Sequence, residues 1–351
     1  MRVAVYYNNK DVRLEERPIP KIGNGELLVK IIASGICGSD VMEWYRIKKA
    51  PLVLGHEIAG EVVEVGEGVK YFKKGDRVFV SHHVPCNTCY YCLNGNYSVC
   101  DTLRKTNFDP GGFSEYIRIP KINVDSGTFK LPDELSFEDG TFIEPLACVL
   151  GGLNKSYFKA GQRVLIIGSG ISGLLFIKAA RALGAGKIIA TDINDFRLNS
   201  AKKFGADSVI NAKPVPAGVK QEEDVPAHFK QLNNGYLADL VVICTGAPPA
   251  ISQALKSVER GGTILFFAPA EPNVNIPIPL WDVWRDGITM TTSYAGAPSD
   301  IATAIELLKA RRLIVKDMIT HRLSLSETGL GFQLVAKAQD SIKVIIEPHK
   351  S

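Results

Sequence analysis

Hydrophobic positions along the chain change their spacing near residue 160. Before it, apolar residues come in short runs, at 26–32, 61–65 and 76–80, separated by glycine and proline. Short β-type runs bounded by turn residues predict a small barrel-like β domain. Beyond it, strand and helix alternate. The run 164–167 leads into Gly168, after which Leu174, Ile177 and Ala180 fall on one helix face that stops near Gly184. Segments 187–192, 195–204, 238–244 and 263–267 continue as strand, helix, strand and strand. Repeated strand–helix units predict a parallel sheet covered on both faces. Pro214, Pro216 and Pro226 among mixed charges mark 213–226 as a surface loop. A helix near 300–310 and a strand at 342–346 follow, and their periodicity assigns them to neither region.

With 351 residues, 46% hydrophobic and 22% charged, the chain has material for about two domains. That excludes a disordered chain, a collagen-like repeat and a disulfide-stapled miniprotein. The 41 basic residues are balanced by 37 acidic ones, with no long Lys/Arg run. This argues against nucleic acid or an anionic membrane as partner. No segment reaches the roughly 18–20 apolar residues that span a bilayer. Residues 1–8 carry no signal-type apolar stretch, so the expected location is cytoplasmic.

Gly168-Ser169-Gly170-Ile171-Ser172-Gly173 matches G-x-G-x-x-G between an apolar strand and an apolar helix, and Asp192 closes the next strand. In that context the first glycine permits the tight turn, the second admits a pyrophosphate, and the third lets helix pack on strand. The helix N-terminus adds free N–H groups and the positive end of a dipole. Asp192 would accept hydrogen bonds from the adenosine ribose and repel a 2′-phosphate, which favours NAD. Arg197, five residues on, tempers that preference. The alternative is a glycine-rich turn in some other α/β sheet.

Four of the seven cysteines form Cys86-x-x-Cys89-x-x-Cys92-x7-Cys100. Four thiolates on one compact loop predict a closed, structural zinc site, with an iron–sulfur cluster as the rival. Cys37, Cys148 and Cys244 stand alone. Cys37-Gly38-Ser39-Asp40 and Gly55-His56-Glu57 offer one thiol and one imidazole, too few to close a zinc shell. Glu57 and Glu144 are the available carboxylates for an open site; alone, a Cys–His pair also reads as core packing.

Together these elements resemble the zinc-containing medium-chain dehydrogenases, particularly the polyol, sugar-alcohol and threonine dehydrogenase branch. The likeness runs the length of the chain. It rests on Cys37-Gly38-Ser39-Asp40, the segment 55–63, the four-cysteine loop, Gly111-Gly112-Phe113-Ser114-Glu115-Tyr116, Glu144-Pro145 and the glycine turn. It implies an α/β protein with a β-rich part: a GroES-like catalytic domain over 1–150, completed by about 295–351, and a Rossmann domain with a doubly wound parallel sheet over 151–294. By the resemblance, Cys37, His56 and Glu144 bind a catalytic zinc and Glu57 is an exchangeable ligand. Asp40 would hold His56, and Ser39 would be the first proton acceptor beside the alcohol oxygen. Cys148 and Cys244 are expected only to pack.

Many relatives carry a His five residues after the ligand cysteine; here it is Met42, so the alcohol proton needs another exit, such as Glu57. The implied reaction is oxidation of a secondary alcohol to a ketone with hydride transfer to NAD. A carboxylate at position 144 suggests a hydroxyl-rich substrate, with Trp44, Tyr45, Arg46, Ser293 and Tyr294 as candidate contacts. Simple secondary alcohols are the alternative substrates. A zinc-free quinone or enone reductase and a non-catalytic metal sensor are the rival classes. The resemblance also implies a homodimer or homotetramer.

Overall fold

The computed structural model describes residues 1–213 and 224–350. The chain divides into two compact units, Met1–Cys148 with Ala295–Ser351, and Val149–Tyr294. Most of the loop expected at 213–226 lies outside the described residues. Its far end is helical instead: Asp224 caps a helix over Val225–Leu232 and Pro226 sits in the first turn, where its missing N–H has no intrahelical partner to lose.

The first unit is organised around the strand Leu27–Gly35. It pairs antiparallel with Glu57–Val65, Tyr116–Ile119 and Lys343–Glu347. From Glu57–Val65 the sheet continues to Arg77–Val80 and Thr128–Lys130, and Lys343–Glu347 pairs in parallel with Ile319–Ser324. Alternation sends Leu27, Val29 and Ile31 into a core with Ile58, Val62, Val78, Val80, Ile117 and Ile119. Burying each such side chain contributes about 1.5–3 kcal/mol. A second cluster, with Tyr6, Phe113 and Phe332, joins the small sheet of Arg2–Asn8 to the C-terminal strands. The tail that periodicity leaves unassigned thus belongs to this unit, Ile345 and Ile346 lying opposite Gly35 and Ser34.

The second unit is a six-stranded parallel sheet in the order Ser208–Asn211, Lys187–Asp192, Arg163–Ile167, Ala238–Ile243, Val258–Phe266, Thr289–Thr292. Val164, Leu165 and Ile166 are wholly buried, which is why the central strands read as unbroken apolar runs. The order reverses between Arg163–Ile167 and Ala238–Ile243, the point where doubly wound sheets open a crevice at their carboxyl ends. Gly168 leaves the first of these strands at φ +93°. The helix Ile171–Ala182 then starts so close that any side chain on Gly173 would overlap the carbonyl of Gly168. Among the described residues no helix is long and apolar enough to cross a membrane.

Candidate metal centres and dinucleotide turn

Cys37 follows the central strand of the first unit in a tight turn. Its amide donates to Asp40 Oδ2 at 3.1 Å, and the Asp40 amide donates to the Cys37 carbonyl at 3.0 Å. The amide and hydroxyl of Ser39 both donate to Cys37 Sγ at 3.4 Å. A thiol, a hydroxyl and a carboxylate are thereby fixed on four residues.

The second arm begins at Gly55, with φ +92°, where a Cβ would come within 2.9 Å of the Phe113 amide nitrogen. Gly112 donates to the Gly55 carbonyl at 2.9 Å. This backbone-to-backbone approach explains why the 111–116 motif and the Gly-His-Glu motif occur together. It leaves His56 buried, its Nδ1 3.3 Å from Asp40 Oδ1, and the ring also hydrogen-bonds Cys37. Burial alone would keep the imidazole neutral, but the charges of Asp40 and Cys37 outweigh it and lift its pKa well above the usual value. A proton is thus retained where thiol and imidazole converge. A bound metal replaces such a proton, and Asp40 holds the Nδ1–H tautomer that leaves the other ring nitrogen for ligation. The donor chemistry fits an open zinc site.

Glu144 and Cys148 sit one turn apart in the helix Ile143–Lys155. Burial raises the Glu144 carboxyl; the charge on His56 opposes that rise and the charge on Glu57 adds to it. Cys148 donates its thiol to Glu144 Oε1 at 3.4 Å. Burial and the Glu144 charge push that thiol well up, so it stays protonated. Glu57 is ion-paired with Lys343, whose side chain is wholly buried. A side chain on Gly35 would collide with this pair. Lys343 is a residue that sequence reasoning missed, although a lone cation inside the apolar run 342–346 was its signal.

Two further histidines escaped notice. The rings of His56 and His82 lie 4.7 Å apart, and those of His82 and His83 3.8 Å apart. Burial lowers the His82 and His83 imidazoles, His83 to about 4, and the nearby positive charges of His56 and Arg46 add to the effect. Trp44 and Tyr45 pack on one another at 5.8 Å, while Ser293 and Tyr294 belong to the second unit.

The ligand atoms of Cys86, Cys89, Cys92 and Cys100 all lie within 4.8 Å of one another, and no other group of three or more does so among the described residues. Three of the sulfur pairs are separated by 3.6–3.9 Å, against roughly 3.8 Å for a tetrahedron with Zn–S near 2.3 Å. The amide and hydroxyl of Thr88 draw the Cys86 thiol down to about 5, while burial pushes Cys92 up to about 12. Sulfurs this close cannot all ionise without a cation among them, and the set fits a closed zinc site.

In the second unit Asp192 Oδ2 accepts from the Ser169 amide at 2.8 Å and Oδ1 from the Asn194 amide at 2.9 Å. Asp192 therefore braces the glycine turn as well as facing it. Gly170 caps the helix with no side-chain hydrogen bond. The Arg197 guanidinium approaches within 3.7 Å of where a Gly170 side chain would begin, and its Nε is buried with no partner. Free helix N–H groups beside an unpaired buried guanidinium nitrogen fit an anionic pyrophosphate. The carbonyl of Cys244 lies against Gly168.

Residues 23–133 match the family model of the alcohol dehydrogenase GroES-like domain, and 172–310 that of zinc-binding dehydrogenase. The chain is 32% identical to a sorbitol dehydrogenase of Bacillus subtilis, covering 100% of this chain and 98% of that protein. It is 34% identical to an L-threonine 3-dehydrogenase of Bacillus licheniformis over 94% of each. The crystal structure of galactitol-1-phosphate dehydrogenase from Escherichia coli superposes with a TM-score of 0.85 at 30% identity, covering 99% of this chain and 100% of that one. The chain belongs to the zinc-containing medium-chain dehydrogenases, in their polyol and threonine dehydrogenase branch.

Proposed function

We propose that the protein oxidises a secondary hydroxyl of a hydroxyl-rich small molecule (a polyol, sugar alcohol, cyclitol or threonine-like compound) to the ketone, with NAD as hydride acceptor. The observation that carries this reading is the hydrogen-bonded Cys37–His56 pair, backed by Asp40 and accompanied by the buried carboxylate of Glu144. When bound, zinc supplies Lewis acidity toward the hydroxyl and NAD takes up hydride.

Within this reading Cys37 and His56 anchor the metal, and Asp40 fixes the imidazole. Glu144, whose hydrogen-bond partner is a neutral thiol, is the carboxylate free to ligate. Glu57, held by Lys343, is the ligand that exchanges. Ser39 lies beside the thiol, placed to meet the substrate oxygen. Asp192 at the glycine turn favours NAD. The names of the sorbitol, threonine and galactitol-1-phosphate dehydrogenases support a substrate with neighbouring polar groups.

The protein assembles as a homodimer or homotetramer. The strand Thr289–Thr292 is the last in its sheet, and Leu280, Trp281 and Trp284 are exposed in the helix just before it. All seven cysteines are free thiols, the state that zinc ligation needs and that a reducing cytoplasm maintains.

NADH formation across polyols, cyclitols, threonine and simple secondary alcohols tests the reading. Turnover of hydroxyl-rich compounds that disappears in Cys37→Ala and Glu144→Ala is expected. Turnover of simple alcohols alone would refute the hydroxyl-rich substrate, and no turnover by protein loaded with zinc and NAD would refute the activity.

A further inference from the structure

A single guanidinium touches two residues of the Cys37 turn. Arg46 ends the short helix Glu43–Arg46, and only 15% of its side chain is exposed. Its Nε donates to the Ser39 carbonyl at 2.9 Å and its Nη2 to Ser39 Oγ at 3.1 Å. The same Nη2 lies 3.7 Å from Asp40 Oδ1, the carboxylate oxygen that faces His56.

A guanidinium has donors only and does not surrender its proton in a protein. One lone pair of Ser39 Oγ is therefore occupied by a permanent cation. The hydroxyl proton turns the other way, toward Cys37 Sγ at 3.4 Å. A hydroxyl that accepts from a cation becomes a stronger donor and a weaker acceptor.

We propose that Arg46 is a positioning residue that acts through Ser39. It sets the Ser39 hydroxyl as a donor to the substrate oxygen, where negative charge develops as the alcohol proton passes to a base other than Ser39, for which Glu57 is the buried carboxylate at hand, and not as the acceptor of that proton. Arg46 itself cannot take the proton. The assignment rests on Cys37 and His56 being the metal pair, and it gives Ser39 a task that needs no histidine at position 42.

The test is a double-mutant cycle of Arg46→Met and Ser39→Ala on the zinc-loaded protein with NAD, with Arg46→Lys as the conservative variant. Losing a charge-assisted hydrogen bond predicts a fall in kcat of about 10- to 100-fold in Arg46→Met, with KM within about threefold. Arg46→Lys should recover part of it. In the Ser39→Ala background, Arg46→Met should change kcat by less than about twofold, because the group it acts through is gone. Calorimetric titration of the NAD complex supplies a readout apart from turnover. Trifluoroethanol, an acidic alcohol, should bind about 10-fold more weakly to Arg46→Met, while uncharged isobutyramide binds to the NADH complex as before.

Equal losses in both backgrounds, a rise in KM alone, or a loss explained by missing zinc would each overturn the proposal. If Arg46→Met does not fold, the same cycle with Arg46→Lys decides. A wild-type protein that oxidises no secondary alcohol overturns the function reading and this inference with it. An additive cycle in an active enzyme overturns the inference alone.

Discussion

Replacing Lys343 by methionine tests what holds the charges of the first unit. The side chains of Lys343 and Glu57 are 0% and 2% exposed, so the surface value of an ion pair, at most about 1 kcal/mol, does not apply. Methionine keeps much of the length and removes the cation. Glu57 is then buried without a partner. Glu144 also loses a positive charge that opposed the rise of its carboxyl. Breaking a buried pair from one side costs about 3–5 kcal/mol. For a unit of roughly 200 residues, 1 kcal/mol moves Tm by about 2–4 °C, so the variant should melt roughly 6–20 °C below the wild type. The double variant Glu57→Met, Lys343→Met carries no orphan charge and should recover most of the loss, since apolar replacement of both partners is often near neutral. Scanning calorimetry of the three proteins at one pH settles the matter. A single variant melting within about 2 °C of wild type, or a double variant less stable than the single, would refute the reasoning.

Three further outcomes follow from the geometry. Cys100→Ser should remove one zinc equivalent per chain by elemental analysis and leave NAD affinity in the other unit unchanged. Asp192→Ala should weaken NAD about 10- to 100-fold by calorimetric titration, since it removes a charged acceptor and frees the Ser169 and Asn194 amides; unchanged affinity would place the dinucleotide elsewhere. For Asp239, burial raises the carboxyl but the hydrogen bonds from Arg163 outweigh it, so its pKa lies below the usual value. That contribution is present above the unfolded value near 3.9 and is lost as pH falls through the lower folded one. Asp239→Asn should therefore cost about 1 kcal/mol at neutral pH, and melting curves of mutant and wild type should converge as the pH falls through the lowered Asp239 value.

Legibility in the sequence follows how local the cause of each feature is. The central strands of the second unit announce themselves because both faces are covered. Its last strand, Thr289–Thr292, is polar enough to be invisible. The strand Val258–Phe266 reads as starting five residues late, because Arg260-Gly261-Gly262 imitates a turn and Gly261 does take a positive φ of +72°. Cys37, Ser39, His56 and the four-cysteine loop are visible through short motifs. His82, His83 and Lys343 are not, and Arg46 is visible only as a candidate substrate contact and not as a partner of Ser39, since each gains its meaning from a partner brought close by folding. Periodicity leaves the membership of the tail open, because it is decided by pairing across more than half the chain; only the family resemblance assigns 295–351 to the first unit, where it lies.

The first unit is interrupted, and this has a consequence for how the protein is made. The parallel sheet of the second unit lies wholly within Val149–Tyr294, so it can form as soon as that stretch leaves the ribosome. The other unit must wait for Ile319–Ser324 and Lys343–Glu347 to complete its sheet. At about 5–20 residues per second, roughly 200 residues of synthesis separate Cys148 from the last strand, a delay of about 10–40 s. Throughout it the Cys37–His56 arm exists without the lysine that neutralises Glu57. The buried Glu57–Lys343 pair is therefore among the last features of the nascent chain to take shape.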